Sequence, residues 1–135
     1  MPTARSTKAA EIASYRDLQV WQVAMSVAET CVVVTRGFPP IERFGLAAQI
    51  RRAAVSIPSN IAEGHGRRTS GSYLNHLCIA AGSHAELETQ VELALRLGYL
   101  SGVNAAALMD ELAAVGRLLT ALIRVMRRKL EQKQP

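Results

Sequence analysis

Residues 104–129 read NAAALMDELAAVGRLLTALIRVMRRK. Within this stretch Leu108, Leu112, Val115, Leu119, Leu122 and Met126 follow one another at steps of 4, 3, 4, 3 and 4. An α-helix returns to the same face every 3.6 residues, so these steps keep six large apolar side chains on one side, as an unbroken heptad seam. Met109, Leu118, Ile123 and Leu130 form a second stripe beside the first. A strand would instead alternate apolar and polar positions. The stretch predicts one long amphipathic helix from about Asn104 toward Lys129.

The same spacing recurs upstream. Tyr99-Leu100-Ser101-Gly102 forms a turn, and Gly98 suits the residue just past a helix end. Before it, Leu74, Leu77, Ala81, Ala85, Val91 and Leu95 mark a helix capped by Thr69 or Ser70 and ending near Leu97. Ala47, Ile50, Ala54, Ile57 and Ile61 mark another, beginning near Ile41–Phe44 and ending in Gly64-His65-Gly66-Arg67-Arg68. Pro58 interrupts it by removing one N–H and crowding the carbonyl of Ala54. The stripe continues in register across the proline, which favours a kink over two separate segments. Gly37-Phe38-Pro39-Pro40 ends the first helix, which runs from about Leu18 to Thr35 with Asp17 as its expected cap. Its stripes are Trp21, Ala24, Ala28, Cys31 and Val32, with Val20, Val23, Val27 and Val34 beside them.

Four helices with short links predict an all-α fold, an antiparallel up-and-down four-helix bundle with its second helix kinked at Pro58. The domain spans residues 15–131, between a loose arm at 1–14 and a tail at 132–135. Hydrophobic residues make up 49% of the 135 and aromatics only 4%, so the core is built from Ala, Leu, Val and Ile. The first and last helices are apolar over more than one face. A lone bundle needs one buried stripe per helix, so the surplus predicts burial against another subunit. Cys31 and Cys78 lie in helical stripes and read as small buried hydrophobes in a reducing compartment. No apolar run approaches the roughly 18 residues of a membrane span, and residues 1–14 lack the apolar core of a signal peptide. The expected location is cytoplasmic.

The net charge of +5 is unevenly placed. Residues 43–68 carry five Arg and one Glu, a net +4. Residues 121–135 carry three Arg, two Lys and one Glu, again +4. Residues 71–120 carry two Arg and five acids, a net −3. Arg51, Arg52, Arg67, Arg68, Arg124, Arg127 and Arg128 are therefore the candidate phosphate contacts, since a guanidinium matches a phosphate bidentately. Solvated charge and helix-dipole complementation at the last helix end are the plainer readings of the same residues. The scarcity of aromatics argues against base stacking and sequence-specific readout. Asn60 and Glu63 have the spacing of a capping box, and with Ser56 and Ser59 predict a structural role around Pro58. His84 and Glu88 share a face, but they are too few for a metal site, and no cofactor is expected. Glu86, Glu88 and Glu92 are expected to pair with arginines of a neighbouring helix. The sequence shows no nucleophile–base pair, phosphate loop or carboxylate dyad, so an enzyme is not expected.

Four segments carry a family resemblance: Tyr15-Arg16-Asp17-Leu18-Gln19-Val20-Trp21, the run from Gln49 through Ile57-Pro58-Ser59-Asn60 to Gly64, Gly82 to Gln90, and Leu97-Gly98-Tyr99-Leu100. In order and spacing they resemble the bacterial four-helix-bundle proteins encoded in intervening sequences of large-subunit ribosomal RNA genes. The resemblance implies an antiparallel bundle assembled as a ring-like homopentamer, without enzymatic activity. It also implies kinship with the accessory proteins of diversity-generating retroelements, which bind a reverse transcriptase and nucleic acid through a basic barrel. The chain departs from that pattern after Arg68, where Thr69-Ser70-Gly71-Ser72 replaces the charged residues of many relatives. The expected function is a non-enzymatic homo-oligomeric scaffold that binds RNA or DNA through arginine-rich surfaces. The alternative is a structural or protein-interaction module, such as a reverse-transcriptase accessory protein, with no nucleic-acid affinity of its own.

Overall fold

The computed structural model describes residues 11–133. Most of the expected arm at 1–14, and the last two residues of the expected tail, lie outside the described residues. Four α-helices follow one another: α1 Gln19–Thr35, α2 Leu46–His65, α3 Ser70–Arg96 and α4 Gly102–Lys133. Short 3-10 turns at Tyr15–Asp17 and Pro40–Glu42 precede α1 and α2. There is no strand among the described residues. Consecutive helices pack on one another and α1 closes the ring against α4. The links before α3 and α4 are too short to permit anything but antiparallel neighbours, Thr35 at the end of α1 meets Arg51 near the start of α2, and the other side-chain contacts agree. Ser56 of α2 meets Ser83 of α3, and Asn60, one turn further along α2, meets His76, nearly two turns back on α3. The fold is the four-helix bundle that the sequence predicts.

The core is aliphatic, as composition requires. Leu108, Leu112, Val115, Leu119 and Met126 are all buried on α4, facing Val27, Cys31, Ile50, Ile57, Ile61, Leu77, Leu87 and Val91. The seam departs from its expected course at one point: Ile123 is buried and Leu122 only half-buried. A straight helix drifts by about 20° per heptad, so the inward position moves on by one residue after two heptads. On α3 the buried face is Leu77, Ala80, Ser83, Leu87, Val91 and Ala94. Ala85, expected there, is exposed, and so is Cys78, expected to be a buried hydrophobe. Cys31 alone of the two thiols is in the core.

The helix ends follow the local chemistry. Thr69 Oγ1 accepts the N–H of Ser72 at 3.1 Å, as a cap of α3. Gly98, with φ +79°, ends α3 in the left-handed region that favours glycine, and the N–H of Tyr99 returns to the carbonyl of Ala94. Asp17 does not cap α1. Its Oδ2 turns back to accept the N–H groups of Ala13 and Ser14, closing a capping box around the first 3-10 turn. α2 starts at Leu46, later than expected, because Pro40–Glu42 forms its own turn and Glu42 Oε1 then accepts the N–H of Leu46 at 3.0 Å. α2 is one continuous helix through Pro58, with Ile50, Ile57 and Ile61 buried on both sides of the proline. α4 continues to Lys133, into the segment expected to be a tail.

The helices differ in length. At about 1.5 Å per residue, α1 spans about 25 Å and α4 about 48 Å. The link between α1 and α2 makes up the difference. Phe38 is buried, its ring lies 5.3 Å from that of Tyr99, and Tyr99 donates its hydroxyl to Glu42 Oε2 at 2.9 Å. The link thus covers the end of the bundle at which α3 turns into α4.

Candidate nucleic-acid interface

The antiparallel order places the end of α2, the start of α3 and the end of α4 at one pole. The contact of Gly71 with Leu130, 4.0 Å from the Cβ position of the glycine, fixes that alignment. Arg67, Arg68, Arg124, Arg127 and Arg128 accordingly share a pole, and all five are exposed. Arg124, Arg127 and Arg128 line a groove of about 480 Å³ between α3 and α4, together with Cys78, Thr120 and Glu131. Among the described residues, none of these three arginines forms an ion pair. Arg67 does: its Nη2 lies 2.7 Å from Glu63 Oε2, with both side chains about half exposed. An exposed pair of that kind contributes only about 0.3–0.5 kcal/mol, so an anionic ligand can compete for the guanidinium.

The two remaining candidates lie elsewhere. Arg51, half-buried, donates from Nε to Thr35 Oγ1 at 2.8 Å, toward the opposite pole. Arg52 is exposed and borders a polar groove of about 410 Å³ between α2 and α3 with Gln49, Ser56, Ser83, Glu86 and Gln90. The seven arginines therefore form no single surface. Five share a pole, and two lie in the first half of α2.

Sequence reasoning passed over Arg117. It lines the groove adjoining that of Arg124, with His84 and Glu88. Its spacing of 7 from Arg124 and 11 from Arg128 was the available signal, since both steps return to the same helix face. Charge counting places it in the acidic stretch 71–120.

Asn60 and Glu63 do not form a capping box, because α2 has no start there. Asn60 Nδ2 donates to the carbonyl and hydroxyl of Ser56, at 2.9 and 3.1 Å, and Asn60 Oδ1 faces His76 Nδ1 at 3.1 Å. With Ser56 Oγ 2.8 Å from Ser83 Oγ, the four side chains make a polar ladder across the α2–α3 contact. Glu63 goes to Arg67. The carbonyl of Ala54, which Pro58 leaves without its usual donor, is not the group that Asn60 reaches.

The acidic residues of α3 also differ from expectation. Glu92 pairs with Arg96 on its own helix, and Glu88 Oε1 lies 3.6 Å from His84 Nδ1. His84 Nε2 donates to the carbonyl of Leu112 at 2.6 Å, beside Gly116, where a Cβ would lie 3.0–3.1 Å from the ring. The histidine is thus a strut between α3 and α4. Among the described residues, no three His, Cys, Asp or Glu converge as metal ligands. No helix among them is long and apolar enough to cross a membrane. Burial, and secondarily the charge of Glu111, push the Cys31 thiol up to about 12.

An antiparallel four-helix bundle with an arginine-rich pole is the class that this geometry defines. Residues 16–121 match the model of the 23S rRNA-intervening sequence protein family, and the chain belongs to that family. Among solved structures, it is similar to a protein of unknown function from the S23 ribosomal protein family of Bacteroides thetaiotaomicron. That similarity has a TM-score of 0.72 at 24% identity, over 77% of this chain and 97% of the other, and it supports the fold. No curated protein shows a significant match to the sequence.

Proposed function

We propose that the protein is a non-enzymatic, self-associating helical scaffold that holds nucleic acid, RNA in the first instance, by its phosphates. The observation that carries this reading is the groove bordered by Arg124, Arg127 and Arg128, whose guanidinium groups are exposed and without carboxylate partners among the described residues. Arg67 and Arg68 extend the positive field at the same pole. A single subunit attracts a polyanion weakly at physiological salt, where the screening length is about 8 Å. Repeating the pole around a ring multiplies the contact points. Apolar side chains left exposed on α1 and α4 support association: Met25 at 44%, Val33 at 52% and Val125 at 45%. Five subunits is the number that the family resemblance suggests.

Binding to a nonspecific RNA at a series of salt concentrations tests this reading. The affinity should fall steeply with salt, because each phosphate contact releases counterions. Replacing Arg67, Arg68, Arg127 and Arg128 with Gln should weaken binding and flatten the salt slope, with helix content and light-scattering mass unchanged. Equal binding by parent and fourfold variant at every salt concentration would remove the pole as the site. The alternative, a protein-interaction module serving a partner such as a reverse transcriptase, rests on the opposite pole. There Ile41 and Phe44 are each 85% exposed and Val103 80%.

A further inference from the structure

A second basic site lies at the other end of the bundle. Arg36, Arg43 and Arg51 border a cavity of about 270 Å³ in the α1–α2 link, whose walls include Thr35, Phe38 and Ala47, and the Arg43 guanidinium lies over the exposed Phe44 ring, 5.2 Å from its centroid. Residues 36–52 hold four arginines and a single acid, Glu42. That acid is held by two hydrogen bonds and pairs with none of the arginines. Its Oε1 accepts the N–H of Leu46 and its Oε2 accepts the hydroxyl of Tyr99. Arg51 is aimed by a buried hydroxyl: Thr35 Oγ1 donates to the carbonyl of Cys31 at 2.7 Å and accepts from Arg51 Nε at 2.8 Å. This fixes the stem of the arginine and leaves its terminal N–H groups for the cavity. A half-buried guanidinium without a carboxylate is costly to leave uncompensated, and no ion pair forms with any of the three arginines among the described residues. Arg36 also complements the dipole at the end of α1, which accounts for one arginine and not for three.

We propose that this cavity binds a phosphate monoester. Three guanidinium groups suit a group carrying close to two charges near pH 7 better than a phosphodiester, which carries one. A volume below the roughly 300 Å³ at which pockets for drug-sized ligands begin admits the phosphate end and leaves the remainder of the ligand outside. The phosphate can come from the 5′ end of an RNA or from a free nucleotide.

Calorimetric titration of the full chain with inorganic phosphate tests the site. Binding should be detected, and Arg36→Gln and Arg43→Gln should each weaken it about tenfold or more, the effect of one charge-assisted hydrogen bond. Arg51 is left intact in these variants because it braces Thr35. A short RNA with a 5′ phosphate, the same RNA with a 5′ hydroxyl, and adenosine 5′-monophosphate then separate the sources. Displacement of inorganic phosphate by the phosphorylated RNA alone, or equally by the mononucleotide, upholds the site and identifies the ligand. No binding of phosphate, or unchanged binding by the two variants with their helix content retained, overturns it.

Discussion

Gly64→Ala puts under test the closest approach that a glycine makes to another α-helix among the described residues. A Cβ at Gly64 would lie 2.8 Å from His76 Cβ, 3.0 Å from Tyr73 Cδ1 and 3.3 Å from the carbonyl oxygen of Tyr73. Two of these three atoms are fixed to the backbone of α3, so the clash cannot be relieved by a rotamer change, and α2 and α3 must part by several tenths of an ångström. Overpacking of this kind costs about 1–3 kcal/mol. Alanine recovers part of about 1 kcal/mol in helix propensity, less than in a helix interior because Gly64 is the penultimate residue of α2. The net loss should be about 1–2 kcal/mol, enough to lower the melting midpoint by about 4 °C or more. Gly82→Ala is the matched control, since it lies within α3 with nothing inside 4 Å of the added Cβ, and should gain about 1 kcal/mol. Urea unfolding followed by far-ultraviolet circular dichroism, at one fixed protein concentration, reads both. A Gly64→Ala variant as stable as the parent, alongside a stabilised Gly82→Ala, would refute the close approach of α2 to α3.

Thr35→Val keeps the shape of the buried side chain and removes the acceptor of Arg51 Nε. It should cost about 1–3 kcal/mol, while Thr35→Ser retains most of the stability, both by urea midpoint. A thiol-alkylating reagent near neutral pH should modify one cysteine of the native protein, Cys78, and reach Cys31 only in denaturant. Two rapid modifications in the native state would contradict the burial of Cys31. Between pH 9 and about 12 the unfolded Cys31 loses its proton while the folded thiol keeps it, so stability should fall as pH rises through that window. Tyr73 and Tyr99 are also raised, Tyr73 by burial and Tyr99 first by its bond to Glu42, and add to the same fall. Cys31→Ala should lessen the fall without abolishing it.

Helical periodicity alone carried the sequence reading a long way. Four stripes gave four helices, and the positions of Ile50, Ile57 and Ile61 across Pro58 gave their continuity, because each of these signals is local. The failures occurred where a contact depends on register between helices. Ser83 is buried because Ser56 lies opposite it, 27 positions away, and no spacing within α3 reports that. Asn60 and Glu63 matched a capping pattern, but the pattern needs a helix start, and burial on both sides of Pro58 holds α2 together. Glu88 and Glu92 found partners one turn away on their own helix, where the chain already holds both groups close, and Glu86 forms no ion pair among the described residues. The α4 arginines were legible from charge, and Arg117 from spacing. The cavity bordered by Arg36, Arg43 and Arg51 was not, since it exists only once the link has folded.

The link between α1 and α2 also bears on the order in which the chain can assemble. Tyr99 follows Glu42 by 57 positions, and the buried Phe38 relies on the same tyrosine ring. As the chain leaves the ribosome, α1 and α2 are complete before the residue that secures their connection has been made. The nascent hairpin therefore waits with its upper end open, and only synthesis of the α3–α4 turn closes it. Latching is thus postponed until most of the polypeptide is available, and the arginine cavity becomes organised at the same late moment.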